Sequence, residues 1–137
     1  MRESPVVHSV IGAAIEVHRS LGPGLFESAY ERALACEFEY RALPFEREAP
    51  VPVYYRAANL GCGYRLDFLV KGQVALELKS VDALLPVHDT QVLAYMRLLK
   101  LSHGLLINFN VVRLVDGLRS FVLLTRGGAA AGFQPGR

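Results

Sequence analysis

The stretch "YRLDFLVKGQVALELKS", residues 64–80, decides the fold. Two runs rich in Leu, Val and Phe flank the turn dipeptide Lys71-Gly72, a pattern that predicts a β-hairpin. Strand side chains alternate, so Leu66, Phe68 and Val70 are expected on one face, with Arg65, Asp67 and Leu69 on the other. On the second strand Val74, Leu76 and Leu78 oppose Ala75, Glu77 and Lys79. Bringing the apolar sets together places Phe68 near Leu76, and that register sets Asp67 beside Glu77 and Arg65 beside Lys79. It requires an odd number of residues in the connection, such as a loop Lys71–Gln73, or a bulge. A plain two-residue turn would send the two acids to opposite faces.

Two carboxylates facing each other across strands repel, and a buried carboxylate is costly without compensation. A divalent cation answers both problems. Hard oxygen donors favour Mg²⁺, which takes one or two protein carboxylates and leaves positions for water and phosphate oxygens. Lys79, two residues on and on the same face as Glu77, is then placed to touch an attacking water or a scissile phosphate. The bland alternative is a solvated strand face carrying Glu77 and Lys79, with Asp67 paired to Arg65.

Outward from the hairpin, Ser4-Pro5 signals a helix start, and Val7, Val10, Ile11, Ala14, Val17 and Leu21 recur at helical spacing as far as "LGPG", residues 21–24. A second helix follows with the stripe Tyr30, Leu34 and Phe38. Glu27, one turn before Tyr30, is expected to point toward whatever that helix packs on. From Phe45 the pattern is extended, and Pro50 and Pro52 suit an edge strand. Beyond the hairpin, Pro86 opens a helix with Val92, Tyr95, Met96 and Leu99 facing a sheet. The apolar run at 103–110 is a buried strand and "RSFVLLTR" a last one. The order predicts an α/β fold, a mixed β-sheet flanked by helices, as a single domain over residues 1–126. The tail 127–137, "GGAAAGFQPGR", is expected to be disordered.

The chain has 137 residues, 52% hydrophobic and 20% charged, long enough for a proper core and rich in apolar side chains. That richness suits a homodimer that hides part of the surplus. Cys36 and Cys62 lack metal-ligand spacing and are expected to be reduced thiols. No apolar run is long enough for a membrane span, and the amino terminus lacks the pattern of a leader, so the expectation is a cytoplasmic protein with no membrane partner. Fifteen basic against thirteen acidic residues give a net charge of +2, which permits nucleic acid as a partner without demanding it. No basic-aromatic groove is evident.

An acid inside an apolar strand, an E-x-K on its hairpin partner and a following helix together resemble the PD-(D/E)XK nuclease superfamily. Asp67 stands as its Asp and "ELK", residues 77–79, as its (D/E)-x-K. More narrowly, "GLFESAY" with Gly24, Glu27 and Tyr30 resembles the signature of the bacterial GxxExxY family, as do "EVHRSLGPGLFESAY", "GYRLDFLV", "ELKSVDALLPVHDTQVLAYM" and "GLLINFN". The likeness spans roughly residues 5–122. The proline of "PD" is missing, since Leu66 precedes Asp67. The RecB-like branch carries an extra acid on a helix ahead of the sheet, matched by Glu27, and a Q-x-x-x-Y element, matched by Gln91 and Tyr95.

The resemblance implies a restriction-endonuclease-like core and Mg²⁺- or Mn²⁺-dependent hydrolysis of phosphodiester bonds, with DNA preferred to RNA as partner. Its ligands would be Asp67, Glu77, the Leu78 carbonyl and Glu27, with Lys79 and Gln91 completing the catalytic set. Arg65 would reach a neighbouring phosphate. Tyr30 is divided between packing and orienting Glu27; Tyr95 between core and site; Gln91 between site and a strand-end cap; His88 between that helix face and a boundary hydrogen bond. Weak net basicity supports a competing reading, a non-catalytic module that keeps the fold and binds nucleic acid or protein. A hydrolase acting on a small phosphorylated substrate is a third.

Overall fold

The computed structural model describes residues 4–126 and 129–135. Helix α1, Pro5–Leu21, begins where Ser4 Oγ accepts the Val7 N–H at 3.2 Å and ends at Gly22, whose φ of 69° suits a residue without Cβ. Helix α2 spans Glu27–Tyr40 and buries Tyr30, Leu34 and Phe38. The strands are β1 Phe45–Val51, β2 Tyr54–Tyr55, β3 Ala58–Asn59, β4 Tyr64–Val70, β5 Val74–Lys79, β6 His103–Asn108, β7 Leu118–Arg126 and β8 Ala129–Pro135; helix α3, Pro86–Leu99, joins β5 to β6. Ala129–Pro135, where a disordered tail is the sequence expectation, thus runs antiparallel to β7, while residues 127–128 and 136–137 lie outside the described residues.

One six-stranded sheet runs β1-β4-β5-β6-β7-β8, and β2 and β3 form a separate two-stranded ribbon. β5 and β6 are parallel, connected by the α3 crossover, and the other neighbours are antiparallel. β1, with Pro50, is the edge strand that its prolines require. One core lies between the sheet and α1 and α2, and takes Phe68, Val70, Val74, Leu76, Leu78, Leu105 and Ile107 from the strands. The other lies under α3 and takes Ala75 and Leu106 with Val92, Tyr95 and Met96. Complete burial of each of the larger side chains contributes about 1.5–3 kcal/mol, so the two faces together fix the sheet between its helices.

One strand breaks its own alternation. Leu66 packs under α3 with Ala49 and Val51, whereas Phe68, two residues on, packs on the α1–α2 side. The expectation that Leu66, Phe68 and Val70 share a face therefore fails at Leu66. The cause lies in the pairing with β1, which matches Arg47 to Phe68 and Ala49 to Leu66 but omits Glu48 and Asp67 between them. Glu48 sits at φ 49°, in the left-handed region, and both strands switch faces there. Asp67 is the switch residue of β4.

Candidate active site

The β4–β5 hairpin has the register that the acids need. Phe68 pairs with Leu76 and Val70 with Val74, which carries Asp67 to a position opposite Glu77. The connection is the odd, three-residue loop Lys71–Gln73 that this register requires. Lys71 and Gly72 both take positive φ, and the Gln73 N–H closes on the Val70 carbonyl at 2.9 Å, as in a two-residue turn. Gln73 is the extra residue that keeps the count odd.

Past Phe68 and Leu76 the main-chain ladder stops, and the carboxylates take its place. Glu77 Oε1 accepts the Asp67 N–H at 2.8 Å, and Asp67 Oδ2 accepts the Leu78 N–H at 2.8 Å. Each acid thus satisfies one amide orphaned by the splaying of the strands. The Lys79 carbonyl accepts from Phe109 N–H on the β6 side, so alternation turns the Leu78 N–H and carbonyl toward β4 and the two acids.

Burial raises both carboxyls. Asp67 is pushed up to about 6, mainly by desolvation against the lowering effect of the Leu78 N–H, with the Glu31 and Glu27 charges adding to the rise. Desolvation and then the Asp67 charge push Glu77 up to about 8, opposed by the Asp67 N–H and by Lys79. The charge of Lys79, half-buried, lowers both. The pair behaves as a coupled dyad that retains about one proton near neutrality.

Glu27 departs from its expected place. It is exposed at the first residue of α2 instead of pointing into the packing face, although its charge still acts on both acids. The loop before it is well anchored. The Tyr30 hydroxyl donates to the Gly22 carbonyl at 2.6 Å and accepts the Leu25 N–H at 3.2 Å, while its ring stacks on Phe109 at 4.5 Å. Ser80 Oγ, directly after Lys79, donates to the Leu25 carbonyl at 2.5 Å. Tyr30 therefore holds the loop that delivers Glu27 and does not touch Glu27 through its hydroxyl. Ser80 was not singled out from the sequence; nothing but its adjacency to E-x-K signals it. Glu31, whose charge also raises Asp67, lies one turn after Glu27 on α2, and no motif in the sequence marks it. It is paired with Arg47 of β1 at 3.0 Å.

On the α3 side Gln91 Nε2 donates to the Tyr95 hydroxyl at 3.2 Å, and burial followed by the Glu77 charge raises the Tyr95 phenol. Tyr95 thus feels the Glu77 charge, and Gln91 is tied to Tyr95 through its hydroxyl. His88 does not join them: its Nδ1 accepts the Leu85 N–H at 2.9 Å, capping the start of α3. Arg65 is exposed and donates to the Glu48 carbonyl at 3.3 Å. The ladder ends before it reaches Lys79, so the expected Arg65–Lys79 juxtaposition is not made, and among the described residues Arg65 forms no ion pair with Asp67 that would support the bland alternative.

The family model described as the PD-(D/E)XK nuclease superfamily matches residues 4–121, and the chain belongs to that superfamily. No curated protein and no solved structure matches the chain significantly. Membership suggests nuclease activity on nucleic acid, and proteins of this superfamily generally use divalent metals. The donor chemistry here fits such an ion: two oxygen donors share a desolvated spot where like charges meet, and Mg²⁺ takes one or two carboxylates from protein. Among the described residues no three His, Cys, Asp or Glu side chains gather as a metal-binding group, so a third side-chain ligand does not stand beside the pair. No helix among them is long and apolar enough to cross a membrane.

Proposed function

We propose that this chain is a nuclease that hydrolyses phosphodiester bonds of nucleic acid, DNA in preference to RNA, with Mg²⁺ or Mn²⁺ held by Asp67 and Glu77. The supporting observation is the replacement of ladder bonds by two reciprocal carboxylate–amide bonds at the splayed end of β4 and β5. One oxygen of each acid is thereby fixed, and the other oxygen of each is the one that would hold the ion. A bound divalent ion supplies charge neutralisation and a more acidic water. The Leu78 carbonyl faces the same side and can add a donor. Lys79 steadies the water or the developing negative charge on the phosphate, and Gln91, oriented by Tyr95, hydrogen-bonds water or a phosphate oxygen. Glu27 acts at longer range, through a water, from the N-terminus of α2. These roles, with the narrower placement in the GxxExxY family and the RecB-like branch, rest on the motifs at Gly24–Tyr30 and Gln91–Tyr95.

Calorimetric titration of Mg²⁺ and Mn²⁺ into the wild type and Glu77→Gln, alongside cleavage of plasmid and single-stranded substrates, tests it. The expectation is binding and cleavage in the wild type, both lost in the variant. Cleavage that is indifferent to Glu77 and to chelator would overturn the reading. The same reciprocal bonds also suit a non-catalytic module, in which they serve as a staple between strands. That reading expects Glu77→Gln to leave every binding property intact and the wild type to cleave nothing.

A further inference from the structure

Three residues before Asp67 the sheet gives way to a projection. Val51 pairs with Tyr64 at the end of the β1–β4 ladder, and from there Pro52, which has no N–H to extend the pairing, leads the chain into the β2–β3 ribbon. At about 3.3 Å per residue, this point lies on the order of 10 Å along the strand from the Asp67 backbone. The ribbon carries large rings in the open. Tyr54 is 61% exposed, Tyr55 63% and Tyr64 47%. Adjacent strand residues face opposite ways, so Tyr54 and Tyr55 display one ring on each side of the ribbon. The Arg56 guanidinium carbon sits 5.7 Å from the centre of the Tyr55 ring. The tip, Arg56-Ala57, has both residues at positive φ, where Asn and Gly are favoured, so this turn was not filled for ease of folding. Tyr64 links the ribbon to α3: its ring lies 6.2 Å from that of Tyr95, whose hydroxyl accepts from Gln91.

We propose that the Tyr54–Asn59 ribbon, continued by Tyr64, is a base-stacking platform that holds an unpaired nucleic-acid strand beside Asp67 and Glu77. This rests on the nuclease reading and adds a substrate class, strands whose bases are free to unstack. Rings in the open with an arginine in front of one of them are the elements that hold single strands without regard to sequence. Phosphate attraction alone is weak for a chain of net charge +2, so stacking is the term able to supply affinity. The ribbon leaves the sheet at the Val51–Tyr64 pair, three residues along β4 from Asp67.

The test is fluorescence anisotropy of the full chain with a labelled oligothymidine strand, in chelator and at fixed salt. An abasic strand of the same length and a blunt duplex serve as comparators. The wild type should bind oligothymidine more tightly than either. Tyr54→Ala and Tyr55→Ala should each weaken that binding by about 5- to 150-fold, the range for loss of one stacked base, while leaving binding to the abasic strand unchanged. Arg56→Ala should weaken both strands and flatten the salt dependence. Equal wild-type affinity for the oligothymidine and abasic strands, no binding at all, or a preference for the duplex would overturn the proposal without recourse to any variant. A chain that is dimeric as wild type and monomeric as Tyr54→Ala/Tyr55→Ala, with oligothymidine affinity unaltered, would assign the rings to a second copy instead. Failure of the nuclease reading gives a different signature: cleavage independent of Glu77, with the stacking differences intact.

Discussion

The two halves of the β4–β5 hairpin are made of the same kind of strand and do opposite things. Near the turn, Phe68–Val70 and Val74–Leu76 pair through their backbones and send Phe68, Val70, Val74 and Leu76 into one core. At the open end the backbones part, and Asp67 and Glu77 bond to amides that strands would normally pair with each other. The first half is optimised for burial. The second places two carboxylates where burial penalises their charge, an arrangement that costs stability and is retained where a site needs it.

The largest effect should separate those halves by activity. With Mg²⁺ present, Glu77→Gln should reduce cleavage by about 10³-fold or more, the loss expected when an ion worth several kcal/mol of charge stabilisation is no longer held. The amide oxygen of Gln can still accept the Asp67 N–H, so thermal unfolding should not drop. In the turn half, Phe68→Ala should do the reverse. Phe68 is fully buried, with its ring edge-on to Phe38 at 5.4 Å and to Phe45 at 5.7 Å, and its loss should cost about 3–5 kcal/mol by chemical denaturation. Activity per folded molecule should persist. If Phe68→Ala abolished activity while still folded, the division between the halves would not hold.

Protonation offers an intermediate effect with a definite sign. Both acids titrate higher in the folded chain than their ordinary values of 3.8 and 4.5, Asp67 near 6 and Glu77 near 8. Between about pH 4 and 8 the folded state therefore binds more protons than the unfolded one, and this contribution to stability is present at low pH and lost as pH rises. Glu77→Gln removes most of that slope. It should be more stable than the wild type by on the order of 3 kcal/mol at pH 8, with the gap closing toward pH 5. Added Mg²⁺ should recover the difference in the wild type alone, and its affinity should climb across pH 6–8 as the retained proton is displaced. Parallel unfolding curves for the two proteins across that range would show the acids to be solvated after all.

Why the hairpin was legible from its sequence, and its surroundings less so, follows from range. Alternation of apolar residues and the parity of the Lys71–Gln73 connection are local, and they suffice to put Asp67 opposite Glu77. The helix stripe Tyr30, Leu34, Phe38 and the edge position of the Pro50 strand are equally local. The reversal of Leu66 was not, because it depends on Glu48 of a different strand taking φ 49° at the matching position. Glu27 was misplaced for a related reason. Helical spacing assigns a face, but at the first residue of a helix the face has nothing yet to pack on, and the helix terminus itself favours an acid there. The Tyr54–Tyr55–Arg56 projection was hidden by its shortness: two-residue strands carry no period to detect.

The smallest effect tests whether α3 belongs to the chemistry or only to the core under the sheet. Tyr95 is 6% exposed and packs with Leu66, Leu106 and Met96, and its hydroxyl contributes one hydrogen bond, from Gln91. Tyr95→Phe keeps the ring and deletes that bond, so stability should fall by about 0.5–1.5 kcal/mol. If the hydroxyl orients Gln91 toward water or phosphate, cleavage should fall several-fold with KM little changed, and Gln91→Ala should produce a much smaller drop on top of Tyr95→Phe than alone. Tyr30→Phe is the informative control across the sheet, since its hydroxyl ties Gly22 and Leu25 in the loop ahead of Glu27. It should cost more stability than Tyr95→Phe, having two bonds to lose. Its effect on cleavage should be matched by Ser80→Ala, which frees the same loop from the end of β5. Additive losses would show that Tyr95 does not act through Gln91, and cleavage unchanged in both Gln91→Ala and Tyr95→Phe would detach α3 from the dyad and confine the chemistry to the open half of the hairpin.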